Sequence, residues 1–417
     1  MKATRITLPL LIFLITSLHV NAQYVCKLKG IVVNRKSTIL ILTKKTEDVR
    51  NAGRLIPIKN GHFEYAFPYK VAEAYELTFK DESDEGSWRS ITFFPVNGSI
   101  SMKLHPQLEW EKNTVNGGAF NKEYFEYLAG LDAKFKPSRD SLSKKQDLLS
   151  EAGNYYSPEM GSVRNELKKE TDHERRTLIY RKLDSLIKTG NHLTSEGKIL
   201  QRSNDTLYAE ILLYRYQFIA SHIDFVGYFL LQEDILFRKD RPDIIKNIQT
   251  QYPVFAARFP NHPYTLFIGN AMKGYLHLTE GNNFIDFSAP DLQGKQHRIA
   301  DLVRGRVTLL DFWGSWCGSC IANSSLIKPV YESFKNKGFQ VIGVAREYKN
   351  TKALTAALKR LKYPWLNLLE LDDKHAIWNK YAISNQGGMM ILLNKTGQIL
   401  AIDPSADQVR SILSKSL

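Results

Sequence analysis

The sequence predicts a multidomain chain in three parts: an N-terminal all-β sandwich, a central α-helical region and a C-terminal α/β domain. Three observations carry that prediction. Short β-branched and aromatic runs punctuated by Asn-Gly pairs fill the first hundred or so residues, the apolar period then turns helical, and strands and helices finally alternate around a Cys-x-x-Cys pair. A length of 417 residues accommodates two to four domains. With 43% hydrophobic and 24% charged residues, a disordered or collagen-like chain is excluded. The net charge of +14 is scattered without a Lys/Arg block, so no nucleic-acid partner is expected. Three cysteines are too few for a disulfide-stapled scaffold.

Residues 1–22 read as a signal peptide. Lys2 and Arg5 precede a largely apolar run over residues 6–20, and Val20-Asn21-Ala22 offers small residues for cleavage. The run falls short of the roughly 20 apolar residues that span a bilayer as a helix. An exported, periplasmic or cell-envelope protein is expected, with an uncleaved N-terminal membrane anchor as the alternative. Cys26 follows Val25 rather than a small residue, several positions past the apolar run, so an isolated strand cysteine is expected there and not a lipidated one.

Residues 23–115 are expected to form the β-sandwich. Runs at 37–42, 55–58, 62–67 and 74–79 are rich in Val, Ile, Phe, Tyr and Thr. Asn60-Gly61 and Asn97-Gly98 each sit between alternating apolar residues, the pattern of type I′ hairpin turns. No catalytic constellation falls in this segment. Residues 116–280 carry apolar residues at helical spacing, among them Tyr124, Leu128, Leu131, Leu207, Ile211 and Phe218. Pro137, Pro158, Pro253 and Pro260 are expected to mark helix ends. The aromatic residues here read as core rather than as a ligand groove. The ten histidines form no dense ligand pattern, so no metal is expected.

Residues 281–417 form the α/β domain. Strands are expected at 307–312, 339–344, 390–393 and 398–402, and helices at 317–334, 351–361 and 406–414. A βαβ unit followed by a ββα unit is the arrangement of a thioredoxin fold. The string Asp311-Phe312-Trp313-Gly314-Ser315-Trp316-Cys317-Gly318-Ser319-Cys320 lies between the first strand and its helix. Two intervening residues let one helical turn bring both sulfurs within bonding reach. A helix N-terminus favours a thiolate at Cys317, making it the attacking thiol and Cys320 the resolving one. A zinc half-site would need a second Cys or His pair at suitable spacing, which the sequence lacks.

With these residues in view, the C-terminal part resembles the TlpA-type thioredoxin-like disulfide reductases of the thioredoxin and thiol-specific antioxidant superfamily. The stretch Phe287-Ser288-Ala289-Pro290-Asp291, residues 302–306 and the string ending at Cys320 carry the likeness. The preceding β-rich segment resembles, more loosely, the region found ahead of this domain in exported Bacteroidetes proteins. The resemblance implies a protein-disulfide reductase acting through Cys317 and Cys320, in cell redox homeostasis or cytochrome c maturation. Asp311 would be the buried acid that takes a proton from the resolving thiol. It also implies exported thiol or disulfide proteins as substrates, a membrane or periplasmic thiol reductant as electron donor, and no cofactor. Trp316, Gly387, Gly388 and Met389 are the expected substrate contacts. Gly388 occupies the position where the family carries a cis-proline, and a cis bond before a non-proline residue costs about 2.5–4 kcal/mol, so a trans loop is expected. Ser325 stands where relatives place a helix-kinking proline. A thiol peroxidase would want a hydroxyl and a proline where Gly314 and Leu310 stand, and a binding or scaffold protein with low turnover is the remaining alternative.

Overall fold

The computed structural model describes residues 24–417 apart from 48, 50–52, 239–240 and 385–386; the expected signal peptide lies outside the described residues. Eight strands build the N-terminal part: β1 (Tyr24–Val32), β2 (Ile39–Lys44), β3 (Arg54–Pro57), β4 (His62–Tyr69), β5 (Tyr75–Phe79), β6 (Ile91–Phe93), β7 (Gly98–Leu104) and β8 (Thr114–Asn116). They form two four-stranded sheets, in the orders β4-β1-β7-β8 and β3-β2-β5-β6. Alternation along β1 turns Cys26 and Leu28 inward, against Leu40, Leu42, Leu77 and Phe79 of the other sheet. Burial without a charged partner pushes the Cys26 thiol up. A short helix α1 (Lys80–Glu85) follows β5.

The two Asn-Gly pairs behave differently. Asn60 and Gly61 hold φ of 50° and 73°, and Lys59 bridges His62 across the turn, as expected. Asn97-Gly98 is not a hairpin. It joins β6 to β7, which belong to different sheets, and β7 instead runs parallel to β1. Asn97 Oδ1 accepts from Val25 N at 3.3 Å, so the pair serves as a corner between the sheets.

Seven helices follow: α2 (Ala119–Glu151), α3 (Pro158–Lys169), α4 (His173–Lys188), α5 (Ser195–Ser221), α6 (Phe225–Phe237), α7 (Pro242–Arg258) and α8 (Pro263–His277). Pro158, Pro242 and Pro263 start helices, where the missing N–H costs nothing. Pro137 and Pro253 lie inside α2 and α7, correcting the expectation that they mark ends. Helix α6 is apolar on nearly every face and is buried accordingly. Tyr124, Phe94 and Phe229 meet edge to face at 5.5–5.9 Å, so these aromatics are core.

Two polar clamps fasten the sandwich to the helices. Buried Asn121 accepts from Phe94 N at 2.7 Å and donates to Phe94 O at 2.8 Å. Tyr264 OH accepts from Ala74 N at 2.7 Å. Deeper in, the buried Arg215 donates to Asp234 at 3.0 Å, Glu233 at 3.0 Å and the Leu230 carbonyl at 2.8 Å.

The C-terminal domain contains β9 (Ser288–Pro290), β10 (Gln296–Arg298), α9 (Ile299–Val303), β11 (Val307–Trp313), α10 (Gly318–Phe334), β12 (Phe339–Glu347), α11 (Lys352–Leu361), β13 (Leu366–Leu371), α12 (Ile377–Lys380), β14 (Met389–Leu393), β15 (Ile399–Ile402) and α13 (Ala406–Ser416). Its five-stranded sheet has the order β13-β12-β11-β14-β15, with β11, β12 and β13 parallel and the other two antiparallel. Strand β13 was not among the strands expected; Pro364 and the acidic residues after it shorten its apolar pattern. All seven residues of β11 are buried, because helices cover both faces of the sheet. Helix α8 packs on α12 so closely that a Cβ at Gly274 would lie 2.3 Å from the Lys380 carbonyl oxygen. Asn379 adds a bond to the Phe267 carbonyl at 3.1 Å, and α4 rests on α10.

Removing Arg215 leaves the Asp234 carboxylate, with no exposed surface, to the Arg238 cation and takes a cation from Glu233 as well. Arg215→Met is expected to lower stability by about 3–5 kcal/mol, read as a shift of the urea midpoint at constant slope.

Candidate redox site

Strand β11 delivers the chain into a short loop that ends at Cys317, the N-cap of α10. Cys317 and Cys320 are joined by a disulfide with Cα atoms 5.3 Å apart. The Cys317 Sγ accepts from Cys320 N at 3.3 Å, so the first turn of the helix supplies an N–H to the sulfur that attacks. The loop before it is pinned twice. Trp316 Nε1 donates to the Arg346 carbonyl at 3.0 Å, and Ser315 donates through N and Oγ to the Glu347 carboxylate at 2.7 and 2.8 Å. Burial raises the Glu347 carboxyl, and the two Ser315 bonds oppose that rise.

An attacking thiol would be expected at the surface, yet Cys317 is buried. It is 4% exposed, less than Cys320 at 8%, because Trp313, Trp316, Ala345 and Leu354 pack around the pair. The residues open to solvent are the intervening Gly318 and Ser319. Ser325 bonds back to the Ile321 carbonyl at 2.8 Å, while the proline of this helix stands one turn later, at Pro329.

Asp311 faces α10 from the interior of the sheet. Burial pushes its carboxyl up to about 7, partly opposed by the Ser324 hydroxyl, which donates to Oδ2 at 2.6 Å. Ser324 Oγ also lies 2.9 Å from the Cys320 carbonyl oxygen, so one hydroxyl links the acid to the turn holding the resolving sulfur. Sequence reasoning missed Ser324 and Glu347. The first had a signal, since it lies four residues after Cys320 on the same helix face.

Gly388 sits directly against the disulfide. A Cβ built on it would fall 1.8 Å from the Phe312 carbonyl oxygen and 2.9 Å from Cys320 Sγ, so the position needs glycine for space. Among the described residues no peptide bond is cis. Gly387 is open on its side-chain face, and its carbonyl accepts from Trp378 Nε1 at 3.2 Å. Met389 is half-buried opposite Phe312, and Met390 is buried opposite Asp311. The structure thus brings Cys317, Cys320, Trp316, Gly387 and Gly388 together at one surface. Among the described residues no three His, Cys, Asp or Glu side chains converge as metal ligands.

Residues 281–401 match the model of the AhpC/TSA family. The C-terminal domain is a thioredoxin-like domain of that family. It is 29% identical over 125 residues to thiol-disulfide oxidoreductase ResA of Geobacillus kaustophilus, covering 29% of this chain and 67% of that protein. It is 36% identical over 105 residues to a thioredoxin-like protein of Haemophilus influenzae, covering 25% of this chain and 59% of that one. A solved thioredoxin domain of a thiol-disulfide oxidoreductase from Bacteroides vulgatus is 26% identical, covers 33% of this chain and 97% of its own, and has a TM-score of 0.30. The N-terminal β sheets and all seven helices α2–α8 lie outside the matched residues.

Two predictions follow from this geometry. Gly388→Ala and Gly388→Pro are both expected to lower the thermal midpoint of the oxidised protein and its disulfide-reductase rate, since either side chain strikes the Phe312 carbonyl. For Asp311, the folded-state pKa is raised, so the stability it contributes is full below about 3.8 and is lost as pH rises through about 7. The thermal advantage of Asp311→Asn over the natural protein should therefore grow between those limits and level off above them. Ser324→Ala, which removes the bond opposing the rise, should move the upper limit further up.

Proposed function

We propose that this chain is an exported thiol-disulfide oxidoreductase that reduces disulfides in other exported proteins. The observation that carries the reading is the Cys317–Cys320 pair at a helix N-terminus, beside a buried carboxyl whose affinity for a proton is raised by burial. The likeness of residues 281–401 to named thiol-disulfide oxidoreductases supports it.

In the reduced protein, the Cys317 thiolate attacks one sulfur of the substrate disulfide, forming a mixed disulfide and expelling a substrate thiolate that takes up a proton. The Cys320 thiol loses its proton to the ionised Asp311 carboxylate, which Ser324 ties to the turn holding Cys320, and the resulting thiolate attacks Cys317 Sγ. The second substrate thiol leaves, and the Cys317–Cys320 disulfide remains. Two electrons have moved from the pair to the substrate. A thiol reductant in the same compartment returns them by the reverse exchange. Trp316 and Gly388 border the sulfurs and, with Gly387 and Met389 on either side of Gly388 in the chain, offer the contacts for the incoming polypeptide.

The peroxidase alternative lacks support at Gly314, which puts no hydroxyl three residues before Cys317, where a peroxidase would use one to polarise a peroxide. The test is reduction of insulin disulfides by the purified protein with dithiothreitol. Cys317→Ser is expected to lose turnover entirely. Cys320→Ser should still attack and should accumulate mixed disulfides, visible on non-reducing gels. Undiminished turnover by Cys317→Ser would overturn the assignment.

A further inference from the structure

Beside the redox pair lies a cavity of about 400 Å³ to which all three parts of the chain contribute walls. One wall is apolar, formed by Ile235 and Leu236 at the end of α6, Leu266 and Phe267 of α8, and Ile383. Leu266 is 68% exposed, so this wall continues outward to the mouth. Among its described lining residues Glu47, Asp372 and Asp373 are acidic and the one cation is the Arg346 guanidinium, with Lys44 and Arg54 acting on Glu47 from outside the lining. Asp373 already engages that guanidinium at 2.7 and 2.5 Å. Asp372 is exposed at the rim, where its Oδ1 accepts from Lys349 N at 2.8 Å.

The backbone around this cavity is held in an unfavourable region. Nine non-glycine residues among those described have left-handed φ, and Asp372, Asp373, Ala376 and Ala382, at 50–56°, all line the cavity. Such conformations persist where the surrounding structure imposes them, and they gather at binding sites.

Two connections tie the cavity to the sulfurs. Arg346 lines it with its guanidinium, while its carbonyl accepts from the indole of Trp316, the neighbour of Cys317. Trp378, also on the wall, donates to the Gly387 carbonyl, and Gly388 rests against Cys320 Sγ. These contacts set the Trp378 wall next to the backbone that touches the redox pair, within reach of a side chain a few residues from a cysteine that meets Cys317.

We propose that this cavity is a substrate subsite for a lysine or arginine side chain of the polypeptide whose disulfide is reduced. A basic side chain fits both walls at once, its aliphatic stem on the leucine and isoleucine side and its cationic head among the carboxylates. The subsite rests on the reductase reading and adds to it a preference for basic residues near the target cysteine.

The test uses the full chain, reduced, and three extended peptides. Each carries one cysteine as its mixed disulfide with thionitrobenzoate, and lysine, leucine or glutamate four residues from it. The rate of the single round of thionitrobenzoate release by each reduced chain is followed by absorbance, KM and kcat denoting its half-saturating peptide concentration and maximal rate. The lysine peptide is expected to show a KM about tenfold below that of the glutamate peptide at similar kcat, a preference that shrinks as salt rises. Asp372→Asn keeps a residue type that tolerates left-handed φ, and an unchanged thermal midpoint checks its fold. In that variant the lysine-over-glutamate ratio should fall to about threefold or less. Equal KM for all three peptides overturns the subsite, and leucine matching lysine overturns its charge preference. Release from none of the peptides overturns the reductase reading, and the subsite with it.

Discussion

A carboxyl group in the interior of a sheet, with one hydroxyl for company, is the constraint around which the C-terminal domain is arranged. Asp311 could not be tolerated at this depth on an edge strand, where water would level its proton affinity. Strand β11 is central, buried on both faces, and flanked by parallel β12 and antiparallel β14. That placement demands cover from α10 and α13 on one side and from α12 and the β9–β10 hairpin on the other. The same strand then ends where α10 begins, so the element that buries the acid also sets the sulfurs above it. Stability is given up to hold an acid whose proton comes off near neutrality, a trade common at reactive sites.

The helical region contributes to this arrangement from outside. Its α8 lies against α12 with no room for a side chain at Gly274, and α12 in turn supplies Trp378, whose indole holds the Gly387 carbonyl. Phe312, Trp378 and Tyr381 pack ring against ring beneath that loop. A rigid chain of contacts therefore runs from the central helices to the backbone pressed against Cys320. The clamps at Asn121 and Tyr264 extend it to the sandwich, so the three segments share one framework around the redox pair.

Local chemistry was legible in the sequence and long-range packing was not. The spacing of Cys317 and Cys320, the acid six residues earlier and the alternation of strands each follow from rules that act over a few residues. Asn60-Gly61 obeyed its turn rule. Asn97-Gly98 did not, because the same dipeptide serves a hairpin or a corner between sheets, and only tertiary pairing separates them. Pro137 and Pro253 are tolerated inside helices that packing stabilises. The burial of Cys317 depends on Ala345 and Leu354, which arrive from other elements. Glu347 meets Ser315 across 32 positions, and no window on the sequence relates them. The cavity at the junction of the three segments belongs to this class entirely.

The lone thiol of the sandwich has a bearing on how such a chain is made. A polypeptide that carries a disulfide-exchanging pair is a hazard to its own third cysteine, since a mispaired bond with Cys26 would join the first strand to the active-site helix. Cys26 has no exposed surface and a thiol whose ionisation burial disfavours. It also emerges before the reactive pair during synthesis, nearly three hundred residues ahead of Cys317. Domains folding in that order close the sandwich over the thiol before the reactive pair exists. Sequestration in time thus complements sequestration in space, and the odd cysteine is kept out of exchange without having to be removed.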